Sequence, residues 1–404
     1  MMIKAFSLIR RLLVEAASVN AFLVSTTLAV NFPIPSGPFN TTLVISQLTD
    51  HSRLDLYSPI PVHRSIMISI FHPATCLSLP TSYMDATTAA WTDSQLAPYG
   101  IPAGAFELLY LQTCPHGSHP PDQSSQSRHK EMRASERHKK QYPLLLFSPG
   151  LGDPRLYYSA LAQQVASQGF TVMTIDHPYD AGIVVYPDNS TISGADIETD
   201  EQILFDLSVR VKDISFVLDQ LSHPSLTCSL IPGLELDTKK VGIFGHSLGG
   251  AAAAQAMLED DRLVGGINLD GTFFGSVVES GLSSPFLIFA HEGKNISTDA
   301  SWSAVWPKLT GFKRVLELTG SAHGTFLDFP AVVDVLGLKG QLPSEVEELL
   351  GSINGLRALK ILGTYIGAFF DQVVKGKKTD LLDGPSGKFP EIVFEEVDHQ
   401  EILS

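Results

Sequence analysis

The sequence is poor in basic side chains, and it contains no internal repeat. Its 404 residues include only 28 lysines and arginines against 43 acidic residues, which gives a formal net charge of −15. Because phosphate groups are bound mainly by Lys and Arg, this charge argues against nucleic acid as a partner. It also argues against strong attraction to anionic membranes.

Cysteine is equally scarce, and the chain has only Cys76, Cys114 and Cys228. They form neither a CxxC motif nor a cluster with histidine, so we expect no metal site and no cofactor. In a secreted protein, three cysteines give one disulfide and one free thiol. Cys76 and Cys114 are the preferred pair because both lie in one irregular region, and three buried free thiols are the alternative.

The N-terminal region lacks an uninterrupted apolar run. Three basic residues precede a mostly apolar stretch over residues 12–30, but Glu15 and Asn20 interrupt it, which makes a membrane span the weaker interpretation. Residues 27–29 fit a small-residue cleavage site. We therefore predict a signal peptide over residues 1–29 and a secreted protein, with a membrane anchor or a cytosolic extension as alternatives. Three glycosylation triplets fit secretion, at Asn40, Asn189 and Asn295.

The N-terminal third of the chain differs in pattern from the rest. Residues 42–48 and 64–71 mix apolar and polar side chains, as antiparallel edge strands do. Residues 115–141 are polar and charged, and we predict that they form a flexible insertion. Both features belong to a single domain predicted over residues 30–404.

From residue 142 onward, strand-like and helix-like segments alternate. Short apolar runs are typical of parallel strands that are buried on both faces. This order predicts an α/β fold with a mostly parallel central sheet and helices on both faces. The predicted strands cover residues 144–147, 170–175, 241–244, 264–269, 286–290 and 314–318, and the predicted helices cover 157–167, 199–221, 248–258 and 353–373.

The segment Gly245-His246-Ser247-Leu248-Gly249 matches the G-x-S-x-G motif. A predicted strand precedes it and a predicted helix follows it, which is the setting of the nucleophile turn in the α/β-hydrolase fold. Small residues at Gly245 and Gly249 relieve the crowding of so sharp a turn. Ser247 is therefore the candidate nucleophile, and an ordinary helix-capping serine in a glycine-rich turn is the alternative.

A serine nucleophile needs a histidine base, which follows it in the sequence of this fold. His291, His323 and His399 are the histidines that follow Ser247. His323 is the candidate base because it lies in a loop of small residues just after the last predicted strand. We expect His291 to be a structural histidine and His399 to be exposed. His246, adjacent to Ser247, is expected to pack against the site.

Two carboxylates can serve as the acid that orients the histidine. Asp270 directly follows the strand after the nucleophile, and Asp299 lies in the loop beyond the next strand. Position in the fold leaves these two candidates nearly equal.

The oxyanion hole of an acyl-transfer enzyme is built from backbone N–H groups. One is expected from Leu248, the residue after the nucleophile. The second is expected from Leu151, in the loop after the strand 144–147, where Gly150 and Gly152 permit the unusual backbone angles required. A plain Pro-Gly turn is the alternative for this loop.

Together these segments resemble the platelet-activating-factor acetylhydrolases of the plasma and isoform II type, which act on phospholipids with short acyl chains. The matching motifs are Phe-Ser-Pro-Gly-Leu-Gly at 147–152, Gly-His-Ser-Leu-Gly-Gly at 245–250, Asn-Leu-Asp-Gly at 268–271 and Gly-Ser-Ala-His at 320–323. The resemblance favours Asp270 as the acid and supports Leu151 and Leu248 as oxyanion donors. It departs from the family at Pro149, where the family usually has histidine.

The resemblance implies a metal-independent esterase that removes acetyl or other short acyl groups from phospholipids. A short-chain carboxylesterase or polyester hydrolase of the same fold is the nearest alternative, and a non-catalytic binding protein is a remote one. The expected partner is a small-molecule or lipid ester substrate, with transient contact to a lipid surface.

Overall fold

A computed structural model describes residues 29–115, 117–118, 142–231 and 236–397. The predicted signal peptide and insertion lie almost wholly outside these ranges, and His399 lies outside them too. The structure therefore bears on the α/β domain and on the strands that precede it.

Fourteen strands form three sheets within the described residues. They are β1 (Val30–Asn31), β2 (Asn40–Leu54), β3 (His63–Ala74), β4 (Leu79–Ser82), β5 (Leu109–Thr113), β6 (Leu144–Ser148), β7 (Thr171–Ile175), β8 (Ile183–Val185), β9 (Thr191–Ser193), β10 (Val241–His246), β11 (Leu263–Leu269), β12 (Phe286–His291), β13 (Lys313–Leu318) and β14 (Ile392–Val397). The central sheet has nine strands in the order β14-β13-β12-β11-β10-β6-β7-β3-β2.

The middle of this sheet is parallel and its edges are antiparallel. From β13 to β7, every neighbouring pair runs parallel. The β14 strand pairs antiparallel with β13, and β3 pairs antiparallel with β7 and β2. The parallel strands are almost fully buried because helices cover both faces, as their short apolar runs predict.

The α-helices of the described residues lie mainly between the strands. They are α1 (Ala86–Leu96), α2 (Ser159–Ala166), α3 (Asp200–Leu221), α4 (Pro224–Leu230), α5 (Leu248–Glu259), α6 (Val277–Ser280), α7 (Ala300–Val305), α8 (Phe329–Leu336), α9 (Ser344–Leu350) and α10 (Gly355–Val373). A capping box fixes the start of α3, because Thr199 accepts from the Gln202 N–H and the Gln202 side chain accepts from the Thr199 N–H.

The core has two layers, one on each face of the central sheet. Side chains of successive strand residues point to opposite faces. Leu145 and Phe147 therefore pack with α2 and α10 on one face, whereas Leu144 and Leu146 pack with α3 and α5 on the other. This arrangement confirms the predicted α/β fold and its helices on both faces.

A small separate sheet, β1-β5-β4, lies beside the main one and is tied to it by a disulfide. The structure joins Cys76 to Cys114, with the two Cα atoms 5.7 Å apart, so the preferred pairing is confirmed. The bridge links the segment after β3 to the end of β5. No helix among the described residues has both the length and the apolar character needed to cross a membrane.

Candidate active site

The carboxyl ends of the parallel strands carry the candidate site residues. Ser148 ends β6 and begins the loop that contains Leu151, and Ser247 directly follows β10. Asp270 directly follows β11, and His323 lies in the loop after β13. Because parallel strands end at the same edge of a sheet, these residues converge on one place.

Ser247 has a backbone conformation that few residues other than glycine adopt. Its φ is 55° and its ψ is −123°, and α5 begins at the next residue. A Cβ atom at Gly249 would lie 1.9 Å from the Ser148 carbonyl oxygen, and one at Gly245 would lie 2.2 Å from the Gly249 carbonyl oxygen. Both positions require glycine because main-chain atoms fill the space. The turn holds Ser247 half-buried at the sheet edge.

The loop after β11 packs directly on this turn. The Ser247 N–H donates to the Leu269 carbonyl at 2.9 Å. A Cβ atom at Gly271 would lie 2.1 Å from the Ser247 carbonyl oxygen, so Gly271 allows the loop to approach. Asp270, between these two residues, also has a positive φ, of 61°. Ser247 and Asp270 are therefore held by the same short contact between two loops.

Asp270 and His323 form a close pair. The Asp270 side chain is completely buried, and its Oδ2 lies 2.5 Å from His323 Nδ1. An ionised carboxylate only accepts hydrogen bonds, so Nδ1 of His323 carries the proton in this pair. This tautomer leaves Nε2 as the basic nitrogen of a neutral His323 ring.

The side chains of His291 and Lys294 also lie close to the Asp270 carboxylate. His291 Nδ1 lies 2.8 Å from both carboxylate oxygens, and Lys294 Nζ lies 3.6 Å from Oδ1. Burial alone would raise the pKa of Asp270, but the hydrogen bonds from His291 and His323 and the charge of Lys294 outweigh it. The pKa of Asp270 therefore lies well below its usual value, and the residue stays ionised at neutral pH.

His291 was expected to be a structural histidine, and the structure places it at the candidate acid. Its partner lies 21 residues earlier in the chain, a distance at which sequence pattern gives no sign of a contact. The position of His291 at the end of a parallel strand was the available signal. Lys294 was not predicted at all, and its charged group also donates to the Asp270 carbonyl at 2.7 Å.

Asp299 is engaged away from His323. It caps the start of α7 by accepting from the N–H groups of Ser301 and Trp302, and Thr272 donates to it at 2.8 Å. Lys294 Nζ lies 3.4 Å from its Oδ2. Of the two candidate acids, Asp270 is the one whose carboxylate contacts the His323 imidazole.

His246 connects the His323 loop to the Ser247 turn. Its Nε2 lies 3.1 Å from the His323 carbonyl oxygen, and the two ring centroids are 4.6 Å apart. Because His246 directly precedes Ser247, this contact ties the His323 loop to the turn that carries the candidate nucleophile. The expected packing role of His246 agrees with this position.

The loop after β6 lies against the start of α5. A Cβ atom at Gly249 would lie 2.4 Å from the Pro149 carbonyl oxygen, which shows how closely the loop approaches the Ser247 turn. Within the described residues, the N–H groups of Leu151 and Leu248 donate to no protein acceptor. Backbone N–H groups without a protein acceptor are the kind of donor that an oxyanion hole requires.

Arg210 of α3 binds the main chain of this loop. Its guanidinium group is completely buried and donates to the carbonyls of Pro149, at 2.5 Å, and Gly150, at 3.2 Å. Asp180 and Asp206 pair with it and balance its charge. Arg210 was not predicted as a site residue, although Asp206, Arg210 and Asp213 share one face of a predicted helix.

Asp270, His291 and His323 have the ligand types of a metal site, and their nearest ligand atoms lie within 4.8 Å of one another. Both imidazoles, however, face the carboxylate through Nδ1 and act as donors to it. Lys294 adds a positive charge 3.6 Å away. This charge and the donor orientation fit a hydrogen-bonded carboxylate better than a bound cation.

A cavity of about 560 Å³ opens behind the His323 loop. Its wall includes Ala322 of that loop and four acidic side chains, and Lys339 is the basic residue in its lining. The acidic side chains are Glu292, Asp334, Glu347 and Glu348. Because like charges repel, this cavity is unsuited to an anionic group such as a phosphate.

Comparison with known proteins gives a family match and close relatives. The family model described as platelet-activating factor acetylhydrolase, isoform II, matches residues 124–217 and 233–373. A protein of Arthroderma benhamiae named "probable 1-alkyl-2-acetylglycerophosphocholine esterase" is 33% identical over 417 aligned positions, which cover 96% of this chain and 99% of that protein. A platelet-activating factor acetylhydrolase of Cavia porcellus is 29% identical over 51% of this chain and 54% of that protein.

Among solved structures, a ferulic acid esterase from Streptomyces cinnamoneus superposes with a TM-score of 0.75 at 30% identity. The match covers 91% of this chain and 99% of that one. It agrees with the α/β-hydrolase fold that was predicted from the strand order and the Ser247 motif.

Proposed function

This chain belongs to the platelet-activating factor acetylhydrolase family of isoform II, and on that premise we propose that it hydrolyses short acyl esters of phospholipids through Ser247. It is a carboxylic ester hydrolase, as its relatives are named. The observation that carries the proposed chemistry is the buried Asp270 carboxylate, 2.5 Å from His323 Nδ1 at the edge where Ser247 lies.

In this proposal Ser247 attacks the ester carbonyl while His323 removes its proton. His323 then protonates the leaving alcohol, and a water molecule activated by the same ring hydrolyses the acyl-enzyme. Asp270 keeps the ring in the productive tautomer and stabilises the imidazolium that forms. Its low pKa supports this role, because a protonated acid cannot supply the negative charge.

The N–H groups of Leu151 and Leu248 are the proposed oxyanion donors. Each such donor is worth about 3–4 kcal/mol of barrier when it is fixed in advance. Arg210 supports Leu151 in this role by holding the carbonyls of the two residues before it. Arg210 contacts the backbone carbonyl of Pro149. Proline in place of the family's usual histidine therefore keeps this contact to the loop.

The proposed substrates are ether phospholipids with an acetyl or other short acyl group at the sn-2 position. The name of the relative from Arthroderma benhamiae supports this class, because that match spans nearly the whole chain. The second candidate is a short-chain carboxylester or polyester without a phospholipid head group. The structural likeness to a ferulic acid esterase favours this alternative.

We also propose that the protein is secreted and glycosylated, with residues 1–29 as a cleaved signal peptide. The Cys76–Cys114 disulfide supports an oxidising location. Asn189 is the best-placed glycosylation site because it is exposed in the turn between β8 and β9. Peptide mapping of the protein secreted by a eukaryotic host, before and after removal of N-glycans, tests both points.

A panel of matched esters tests the substrate proposal. Ether phosphocholines that differ only in the sn-2 acyl chain are compared with a short-chain phenyl ester and methyl ferulate. We expect the acetyl phospholipid to have the highest kcat/KM of the panel. The phospholipid with the longest sn-2 acyl chain should have a kcat/KM at least about tenfold lower, because added methylenes overfill a short acyl pocket. Ser247→Ala serves as the inactive control. Cleavage of the simple esters without cleavage of any phospholipid would support the second candidate instead.

A further inference from the structure

The hydroxyl group of Tyr158 stands at the centre of a buried hydrogen-bond network. It lies 2.6 Å from Asp153 Oδ2 and 2.8 Å from His246 Nδ1, and it accepts from the Gly150 N–H at 3.1 Å. Tyr158 is completely buried, and His246 is 1% exposed. One hydroxyl therefore touches the oxyanion loop on one side and the residue before Ser247 on the other.

The position of the proton on His246 follows from its second contact. Its Nε2 faces the His323 carbonyl oxygen at 3.1 Å, and a carbonyl can only accept, so Nε2 carries a proton. Burial, together with the neighbouring His323, lowers the pKa of His246 well below its usual value. His246 is therefore neutral, and its Nδ1 is an acceptor that needs a donor.

Tyr158 is the donor that Nδ1 of His246 faces. A tyrosine hydroxyl has a single proton, so a bond from Tyr158 to His246 leaves its oxygen as an acceptor only. The contact of 2.6 Å between this oxygen and Asp153 Oδ2 then requires a proton on Asp153. All contacts of the network are satisfied when Asp153 is a neutral acid that donates to Tyr158.

Asp153 is half-buried, and its surroundings favour a neutral acid below about pH 6. Burial raises its pKa to about 6, although the Tyr158 hydrogen bond and the charges of His323 and Arg210 act in the opposite direction. If Asp153 is ionised, it takes the Tyr158 proton, and Nδ1 of His246 loses its donor. The other arrangement, a protonated His246, places a cation beside the His323 ring, which must itself become a cation during the reaction.

The network joins the two loops on which the proposed reaction depends. At one end, a Cβ atom on Gly150 would lie 2.4 Å from Asp153 Oδ2, so the network packs directly against the residue before Leu151. At the other end, His246 holds the main-chain carbonyl of His323. Tyr158 therefore connects the loop of the proposed oxyanion donor to the loop of the proposed base.

We propose that Asp153, Tyr158 and His246 form a positioning relay, in which a neutral Asp153 donates to Tyr158, Tyr158 donates to His246, and His246 holds His323. The relay rests on the proposed function, because it acts through Leu151 and His323. It makes Asp153 a hydrogen-bond donor rather than a charged group.

Removal of single donors tests the relay in the full chain. Below about pH 6, where Asp153 is neutral, Tyr158→Phe should lower kcat on a short-chain phenyl ester by about tenfold to a hundredfold, because small displacements of catalytic groups have effects of this size. KM should change by less than about twofold, since the relay does not contact the ester. The matched control is Tyr365→Phe, which removes a buried hydroxyl that makes no hydrogen bond within the described residues. Unchanged kcat in Tyr158→Phe would overturn the relay.

Variants of Asp153 distinguish a role as a hydrogen-bond donor from a role as a negative charge. Asp153→Ala should lose activity as Tyr158→Phe does, whereas Asp153→Asn should recover most of it, because the amide donates where the protonated acid did. Asp153 loses its proton as the pH rises through about 6. The kcat of the wild type should therefore decline above that pH. The decline should be absent in Asp153→Asn. An Asp153→Asn variant as slow as Asp153→Ala would overturn the proposed donor role.

A measurement without substrate keeps this test independent of the proposed function. In protein labelled with ¹³C at aspartate carboxyl groups, the resonance that disappears in Asp153→Asn should titrate near pH 6 rather than near the usual value of about 4. Titration at the usual value would overturn the relay. If the resonance titrates near pH 6 but fluorophosphonate does not label Ser247, the protonation of Asp153 is supported. The proposed function is then contradicted.

Discussion

At the scale of single residues, backbone strain is concentrated at the candidate site. Among the described residues, two of the four non-glycine residues with positive φ are Ser247 and Asp270. Such conformations cost about 1–3 kcal/mol each and persist only where the surroundings hold them. Here the main chain does so, because Ser247 donates to Leu269 and Asp270 donates to Phe289 at 2.7 Å. The sheet edge thus stabilises the geometry that the proposed reaction requires.

Replacement of the two candidate acids separates their roles. Asp270→Asn should lower the single-turnover rate of acylation by about 10⁴-fold, because the amide favours the wrong His323 tautomer. Asp299→Asn should leave that rate within about threefold and reduce stability by no more than about 1 kcal/mol, because asparagine caps a helix about as well as aspartate and only the contacts with Lys294 and Thr272 are weakened. The two variants are matched in chemistry and differ only in which loop they change. Loss of acylation in Asp299→Asn alone would contradict the assignment of Asp270.

At the scale of elements, α3 does more than cover the sheet. Its polar stripe points inward, where Arg210 reaches the loop after β6 and Asp213 binds Arg64 of β3 at 2.7 Å. Asp213 also accepts from His177, which follows β7. The helix α3, the sheet and the loop after β6 are therefore joined by buried charges as well as by apolar packing.

Two arginine variants measure the strength of this connection. Arg210→Met leaves Asp180 and Asp206 buried without their partner, which should lower the free energy of unfolding by about 3–5 kcal/mol. Arg262→Met is the control, because Arg262 is itself partly exposed and pairs with the exposed Asp219 and with the neighbouring Asp260, so its loss should cost about 1 kcal/mol. Urea denaturation measures both differences. Equal losses in the two variants would show that the buried cluster is not the main support of the loop.

At the scale of the whole molecule, the parallel part of the fold was predictable from the sequence. Strands such as β10 and β12 are uniformly apolar because helices cover both faces, and this pattern is visible without a structure. The Ser247 turn was predictable because its glycines are required sterically. The family was recognised from these same segments, and the matches confirm it.

The parts that escaped prediction depend on contacts between distant segments. The strand β14 is an antiparallel edge whose mixed pattern resembles a surface segment, and it was not predicted. The contact between His291 and Asp270 and the network around Tyr158 each join loops from different strands. A pattern of residue types along the chain does not predict such long-range contacts, because they form only when the sheet brings the loops together.

Ser247 is the proposed nucleophile of this esterase, and the rest of the proposed mechanism depends on it. Its most direct test is labelling of the full chain with a fluorophosphonate, followed by mass spectrometry of the digested protein. We expect one adduct, on the peptide that contains Ser247, with labelling abolished in Ser247→Ala and strongly slowed in Asp270→Asn. Wild-type protein that stays unlabelled, or an adduct on another serine, would contradict it.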